Sequence, residues 1–355
     1  LADLVAAARD RGETVFVASA DCSAAFGTVP HDLLLRKLQQ TCAMEGRVLR
    51  VLATYLEGRS QRTRMSGQRR SDWGKGPTGV PQGSVWGPLL FSLYTADIGN
   101  HVTAAKLVVY ADDITLVASH KDPERAREQM NRALAQLAEY ARRNRIAPEP
   151  SKTQLLTSAG HGQMKAMREL ACEMGEQNIR PQEVIKVLGI LIDEQMTWEP
   201  QNMAAAKRTE NATWAIAHAA HCLSEKQRGL LLQSLAHPHL DKCQSGLQHG
   251  SASALASLER AYNKTARVAV WGLGALHTRR TEHKQTWHEI LPSDTALQRM
   301  RWLQWEQRRA GARAAFTMKV FETGEPAVLR AMLPKVCDAL VHDRRLRNRS
   351  IPVST

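Results

Sequence analysis

Apolar positions along this chain fall into two kinds of pattern. Short runs rich in Val, Leu and Ile predict strands at TVFVASAD (14–21), on both sides of the acids in KLVVYADDITLVAS (106–119), after the turn in PEPSKTQLL (148–156), and at EVIKVLGILID (183–193), which Gly189 breaks. Wider spacing predicts helices. Residues 1–11 read as a helix that Gly12 ends. Residues 31–56 carry Leu34, Leu38, Val48, Val51, Leu52 and Tyr55 at helical intervals, and Gly58 closes that segment. LLFSLYTADI (89–98) is an apolar helix with Pro88 suited to its first turn. PERAREQMNRALAQLAEYARR (123–143) is amphipathic, with Met130, Leu134, Leu137 and Ala141 on one face. From about residue 200 the pattern is helical and rich in Ala and Leu, which puts a domain boundary near 195–205.

Composition adds a partner class. With 48 Lys+Arg against 35 Asp+Glu, the formal net charge is +13, which favours polyanions and nucleic acid first. At 355 residues and 43% hydrophobic content, the chain can build more than one core. No run of 18 uninterrupted apolar residues occurs, so no transmembrane helix and no membrane partner are expected. The N-terminal charges do not fit a signal peptide, and a start at Leu1 reads as a fragment of something longer. The six Cys are scattered without a CxxC pair and suit free thiols in a reducing compartment.

The central chemical question is the pair Asp112 and Asp113 between two apolar runs. Adjacent carboxylates in buried β-structure raise each other's pKa and cost free energy without a counter-charge. The layout of strand 106–111, two residues, strand 114–119 predicts a hairpin with the two acids at its turn. Asp is a common turn residue, which is the bland reading, yet the Gly or Asn favoured in so tight a turn is absent. A third acid, Asp21, ends another buried-type strand. If those strands are neighbours, three carboxylates converge, an arrangement that hard divalent cations stabilise and that phosphoryl transfer uses.

Three further segments carry charge or ligand-type residues. GRSQRTRMSGQRRSDWGK (58–75) holds Arg59, Arg62, Arg64, Arg69, Arg70 and Lys75 against one acid, Asp72, with a turn signal at Ser66-Gly67. It reads as an exposed basic hairpin, either contacting phosphates or serving as a solvated edge ribbon. HAAHC (218–222) and HPHLDKC (237–243) collect four His and two Cys at a spacing that fits no usual zinc finger. Arg299, Arg301, Arg308, Arg309 and Arg313 surround Trp302 and Trp305, as a helix that either touches nucleic acid or buries its Trp and solvates its Arg.

The order of these motifs resembles the reverse transcriptases of non-LTR (LINE-type) retrotransposons. ADCSAAFGTVPHDLLLRKL (20–38) resembles that family's first palm motif, GVPQGSVWGPLLFSLYTADI (79–98) its second, YADD (110–113) its third and PSKTQLL (150–156) its fourth. VLGILID (187–193) resembles the strand that lies by the primer, and LERAYNKTARVAVWG (258–272) the helical segment after the thumb. The resemblance implies an α+β fold: a right-hand polymerase palm, an antiparallel sheet with packed helices, over 1–200, with partial fingers in a basic insertion at about 32–78. A helical thumb and C-terminal extension would follow over 201–355.

By the same resemblance the activity is RNA-directed DNA polymerisation, with an RNA template, a DNA primer and dNTPs as partners, inside the cell in nucleus or cytoplasm. Asp21, Asp112 and Asp113 would hold two Mg²⁺, or Mn²⁺, and be catalytic, with the Cys22 carbonyl beside the metal. Phe26 would lie under the sugar and exclude a 2′-OH, its bland alternative being an ordinary core Phe. Gln82 and Gly83, with Gly79, would meet the nucleotide and templating base. Tyr110 would sit beside the primer end and Lys152 would face the pyrophosphate. Arg59, Arg62, Arg64, Arg69 and Arg70 would contact the nucleic-acid backbone.

The chain departs from the family at three places. Gly27 stands where a second Asp is usual, and Trp86-Gly87 where Leu-Ser is usual, so Trp86 is expected to overpack the loop beside the site. Only about 20 residues precede Asp21, so most of the family's fingers, and its endonuclease, fall outside this sequence. A reading of another class is therefore a truncated retroelement remnant that binds nucleic acid without polymerising. An RNA-templated RNA polymerase fits worse, because that class has Gly before its Asp pair and Phe26 would exclude ribose.

Overall fold

The computed structural model describes residues 1–22, 25–64, 70–75, 78–81, 83–160, 167–242, 250–276 and 292–323. The chain divides into two compact units, Leu1–Met196 and Thr197–Thr355.

The first unit is built on a four-stranded antiparallel sheet of β1 (Thr14–Asp21), β2 (Lys106–Tyr110), β3 (Asp113–His120) and β4 (Gln154–Ser158), in the order β2-β3-β1-β4. The two central strands are buried along most of their length, which explains their near-continuous apolar sequences. Because successive side chains alternate between faces, β1 feeds two cores. Phe16, Ala18 and Ala20 join Ile114, Leu116 and the Met130–Leu134–Leu137 face of a long helix, Pro123–Arg143. Val15 and Val17 join Val117, Leu156, Val5 and Ala8 of the first helix, and Ile185 and Ile192 of a hairpin formed by Val184–Val187 and Ile190–Asp193. Burying each large side chain in such a core contributes about 1.5–3 kcal/mol.

That hairpin turns at Leu188 and Gly189, both at positive φ, so the break read at Gly189 is a two-residue reversal. Asp122 caps the long helix by accepting from the Glu124 N–H, and Pro123 occupies the first helical position.

The segment 31–56 is two helices rather than one: α1 here denotes Ala2–Asp10, α2 His31–Gln40 and α3 Gly46–Leu56. Ala43 and Gly46 at positive φ break the helical path between α2 and α3. On α3 only Leu52 and Leu56 are buried, and Val48 and Val51, read at helical intervals, face solvent. The next helix, α4, spans Trp86–Tyr94 and starts two residues before Pro88. With the long helix as α5, one half-buried polar knot ties α2, α4 and α5 together. Lys37 Nζ donates to Tyr94 O at 2.8 Å, to Asp97 Oδ1 at 2.7 Å and to Tyr140 Oη at 3.2 Å, while Tyr140 Oη–H donates to Asp97 Oδ1 at 2.7 Å.

In the second unit, α6 (Glu199–His218), α7 (Glu225–Leu235), α8 (Ala252–Trp271), α9 (Ser293–Met300) and α10 (Trp305–Thr323) pack on one another. Small residues on α6 and α8 (Ala205, Ala206, Ala261, Ala266) line its core beside Leu258 and Tyr262. The Arg- and Trp-rich stretch is divided between α9 and α10, with Arg301 at positive φ between them. Its Trp rings serve packing: Trp305 is buried, and both Trp302 and Trp305 lie against Tyr262. Arg299, Arg308 and Arg309 are held by Glu225, Asp241 and Glu306. Among the described residues no helix is long and apolar enough to cross a membrane.

Candidate active site

The site grows from one register. Asp21, the last residue of β1, is the Cα partner of Asp113, the first residue of β3, and Asp113 is also the partner of Tyr110 at the end of β2. Paired residues project to the same face of a sheet. Along that face the rows run from Val17, Val117 and Leu156, through Ser19, Thr115 and Gln154, to Asp21, Asp113 and Tyr110. The sheet face is thus apolar where α1 covers it and acidic at its open end. Tyr110 is 67% exposed there.

This register moves the expected turn by one residue. The hairpin turns at Ala111 and Asp112, not at Asp112 and Asp113, and Asp113 belongs to the strand. Ala111 takes the left-handed position at φ 53°, a conformation that costs a non-glycine residue about 1–2 kcal/mol. The consequence is geometric: in this register Asp113 lands on the face that carries Asp21.

Charge crowding accompanies this placement. The Asp113 carboxyl is pushed above the ordinary range, first by burial and then by Asp112 and Asp21. The buried Cys22 thiol is pushed up to about 12 by burial and by the same three acids, so it is no nucleophile. A carboxyl with a raised folded-state pKa destabilises the fold as pH rises past its unfolded value, and the full cost is present above its folded value. Asp113→Asn is therefore expected to raise the melting temperature of the divalent-free protein at pH 7 by about 1–3 °C. An unchanged or lower melting temperature would show that the acids do not repel one another in the folded chain.

Three carboxylates of like charge at one strand end have the oxygen chemistry that hard divalent cations need. As they stand, however, no three His, Cys, Asp or Glu side chains among the described residues are gathered as a ligand set. Asp21 and Asp113 share one face of the sheet as a cross-strand pair, and Asp112 stands on the turn beside them. The described residues of the His/Cys-rich segment likewise gather no such set. Its His237 is buried against Tyr262 and Trp302, bonded to Thr265 Oγ1 at 3.0 Å, with a pKa lowered to about 4 chiefly by burial. Cys243 lies outside the described residues.

Lys152 stands 3.8 Å from Asp21 Oδ2 and 2.8 Å from Glu149 Oε2. The hydrogen bond to Glu149 first, and the nearby Asp21 charge after it, raise its pKa, so it stays cationic beside the acids. The backbone holds it there: the Glu149 N–H donates to Asp21 O at 3.1 Å.

Phe26 is partly buried, and its ring stacks on Phe91 at 4.6 Å. Its carbonyl accepts from the Val80 N–H at 2.7 Å, and Val29 O accepts from the Gly79 N–H at 2.7 Å, so residues 26–29 and 79–80 form one backbone clamp. Gly79 has φ 92°, and a Cβ there would lie 2.8 Å from Gly27 O. Gly79→Ala is expected to cost at least about 2 kcal/mol in urea unfolding through strain and backbone collision, with Gly27→Ala near neutral as its control. Equal costs for the two would refute the clamp.

Gly27 itself has open space where a Cβ would point, so the Asp usual there fits sterically. Trp86 does not overpack the loop: it begins α4 with its ring 42% exposed and set against Tyr55. Its extra volume goes to solvent. Gly87 is the tight position, since a Cβ there would lie 2.7 Å from Pro81 O. Gly83 sits at φ 78° in open space, and Gln82 lies outside the described residues.

The basic segment is a ribbon at its base, with Ser60–Gln61 pairing Gly74–Lys75 and Arg64 bridged to Arg70. Arg59 packs over the Tyr55 ring and Arg62 over the Trp73 ring. Arg69 and the Ser66-Gly67 turn signal lie outside the described residues. Trp73 stands in the sequence of the segment, but its pairing with Arg62, like that of Tyr55 with Arg59, needed the fold.

Residues 2–192 match the family model described as reverse transcriptase (RNA-dependent DNA polymerase). In Drosophila melanogaster, the "Probable RNA-directed DNA polymerase from transposon BS" is 32% identical over 200 residues, covering 53% of this chain and 21% of that protein. The "RNA-directed DNA polymerase from mobile element jockey" is 26% identical over 211 residues, covering 56% of this chain and 22% of that protein. The chain thus spans about a fifth of the length of these curated relatives. Among solved structures, apo telomerase from Candida tropicalis truncated from its C-terminal domain is similar at 11% identity and a TM-score of 0.39, over 54% of this chain and 38% of that one.

Proposed function

The chain belongs to the reverse transcriptase family, in its non-LTR retrotransposon branch, and from that premise we propose that it carries the nucleotidyl-transfer site of an RNA-directed DNA polymerase. The observation that carries this reading is the cross-strand pair Asp21 and Asp113 beside the Asp112 turn, acidic on an otherwise basic chain. In the reaction a primer 3′-OH attacks the α-phosphate of a dNTP and pyrophosphate leaves.

Asp21, Asp112 and Asp113 would hold the divalent ions, two Mg²⁺ in this reading. Bound there, such ions supply activation of the hydroxyl and neutralisation of the charge on the leaving oxygen. The protein's own groups do the positioning. Lys152, cationic beside Asp21, attracts the triphosphate. Phe26, backed by Phe91, floors the sugar and leaves no room for a 2′-OH. Tyr110 presents an exposed ring at the strand end for the primer terminus. Arg59, Arg62, Arg64 and Arg70 bring positive charge to the backbone of an RNA template and DNA primer. This work on nucleic acid belongs inside the cell.

One observation favours the second reading, a remnant that binds without polymerising: the described carboxylates are not gathered as a ligand set. The deciding experiment is dTTP incorporation on poly(rA)/oligo(dT) with Mg²⁺, beside an Asp112→Ala control. Equal signal from the two proteins would sink the polymerase assignment for this chain.

A further inference from the structure

An aromatic surface lies outside the acidic site, and the reaction as proposed uses its arginines but none of its rings. Tyr55 on α3 stands between two neighbours: the Arg59 guanidinium lies 4.2 Å from its ring centroid, and the Trp86 ring lies 5.7 Å away. Arg59 is fixed in place, because its Nε also donates to Tyr55 O at 2.6 Å. On the adjoining ribbon a second pair repeats the chemistry, with the Arg62 guanidinium 4.4 Å from the Trp73 ring centroid. Trp73 is 62% exposed.

Folding alone does not call for these groups. Val48 and Val51 on α3, and Val85 and Leu89 around the start of α4, are exposed beside the rings, so the surface is apolar over more than one helix. Tyr55 Oη is buried without a hydrogen-bond partner, and a Phe would fill the same space without that cost. The sequence that carries the patch is one-sided in charge. Residues 45–75 hold eight basic side chains (Arg47, Arg50, Arg59, Arg62, Arg64, Arg69, Arg70, Lys75) against three acids (Glu45, Glu57, Asp72). Two exposed Trp rings, Trp73 and Trp86, beside arginines have the composition of a stacking platform for unpaired bases, with Tyr55 backing Trp86. An apolar protein segment would match the valines but would leave the arginines facing no opposite charge.

We infer that the Trp86–Tyr55–Arg59 ladder and the Arg62–Trp73 pair form a base-stacking platform for single-stranded RNA. Resting on the polymerase reading, this makes the surface a sequence-tolerant holder of unpaired template. The rings grip bases by stacking and the arginines grip the phosphates, so the two contributions separate by salt dependence.

The test uses the full chain and a labelled oligo(rU), read by fluorescence anisotropy across about 50–200 mM salt. Trp86→Ala is expected to weaken binding about 5- to 100-fold with an unchanged salt slope. Trp86→Phe should stay within about threefold, keeping a stackable ring. Arg62→Ala should instead flatten the salt slope by about one unit. Circular dichroism confirms that each variant is folded, and if Trp86→Ala is not, Trp73→Ala on the exposed ribbon carries the same expectation. Wild-type affinity in both Trp variants would overturn the platform and make the patch a protein-docking face. Oligo(rU) binding is read without dNTP or divalent ions, so loss of the polymerase reading, seen in dTTP incorporation, and loss of the platform are separate outcomes.

Discussion

An Asp112→Ala chain is expected to lose at least about 100-fold of its dNTP incorporation while keeping its fold, the scale seen when one group that stabilises developing charge is removed. Asp112 is the second residue of a two-residue turn, outside the strand ladder that pairs Tyr110 with Asp113. Its removal therefore breaks no ladder pair. It also relieves Asp113, whose carboxyl is held above its ordinary range in part by the Asp112 charge. Activity and stability should thus move in opposite directions: incorporation collapses while the divalent-free melting temperature holds or rises. A general folding defect would lower both. Radiolabelled dTTP incorporation and a thermal melt on the same preparation distinguish the two.

The largest effect on stability should come from Lys37, which pairs with none of the three strand-end acids but with Asp97. Lys37→Ala is expected to destabilise the first unit by about 2–4 kcal/mol, because it strands Asp97 in a mostly shielded site. The pair is mostly shielded, with side-chain exposures of 13% and 19%, and the Lys37 ammonium also lies over the Tyr94 and Tyr140 rings. Burial pulls the Lys37 pKa down and works to push Asp97 up. The hydrogen bonds from Lys37 and Tyr140 outweigh burial at Asp97 and leave its pKa lowered. A lowered carboxyl contributes stability above its unfolded pKa and loses it as pH falls through the folded value. The Lys37 contribution should therefore fade only below the ordinary carboxylate range. Replacing both partners, as Lys37→Met with Asp97→Leu, should recover much of the loss, since well-packed apolar residues often match a buried ion pair. Urea unfolding of the three chains checks this. A Lys37→Ala cost under about 1 kcal/mol would mean the knot behaves as a surface pair.

The strands at 14–21 and 114–119 were legible because both central strands are buried on two faces and so carry unbroken apolar runs. The long helix 123–143 was legible because its buried face repeats at helical spacing, and Met130, Leu134, Leu137 and Ala141 are all buried. Asp21, Asp112 and Asp113 stood out as charges within such runs. What local pattern could not reach was register. A one-residue difference in the turn decides whether Asp113 faces Asp21 or the opposite core, and that is settled by Ala111 at positive φ and by pairing with β1. Likewise Val48 and Val51 sit at helical spacing with Leu52, yet only Leu52 finds a neighbour to bury it.

Sequence by itself therefore determined the chemistry available: which residues are acids, which arginines crowd one ribbon, and which runs must be buried, since these follow from residue type and period. The tertiary structure alone decided which of them meet. Asp21 and Asp113 are 92 residues apart in the chain and become neighbours only through the antiparallel ladder. Trp86 turned from an overpacked intruder into one step of an exposed aromatic ladder for the same reason: a side chain's role depends on the surface its backbone offers it, and that surface is assembled from distant segments.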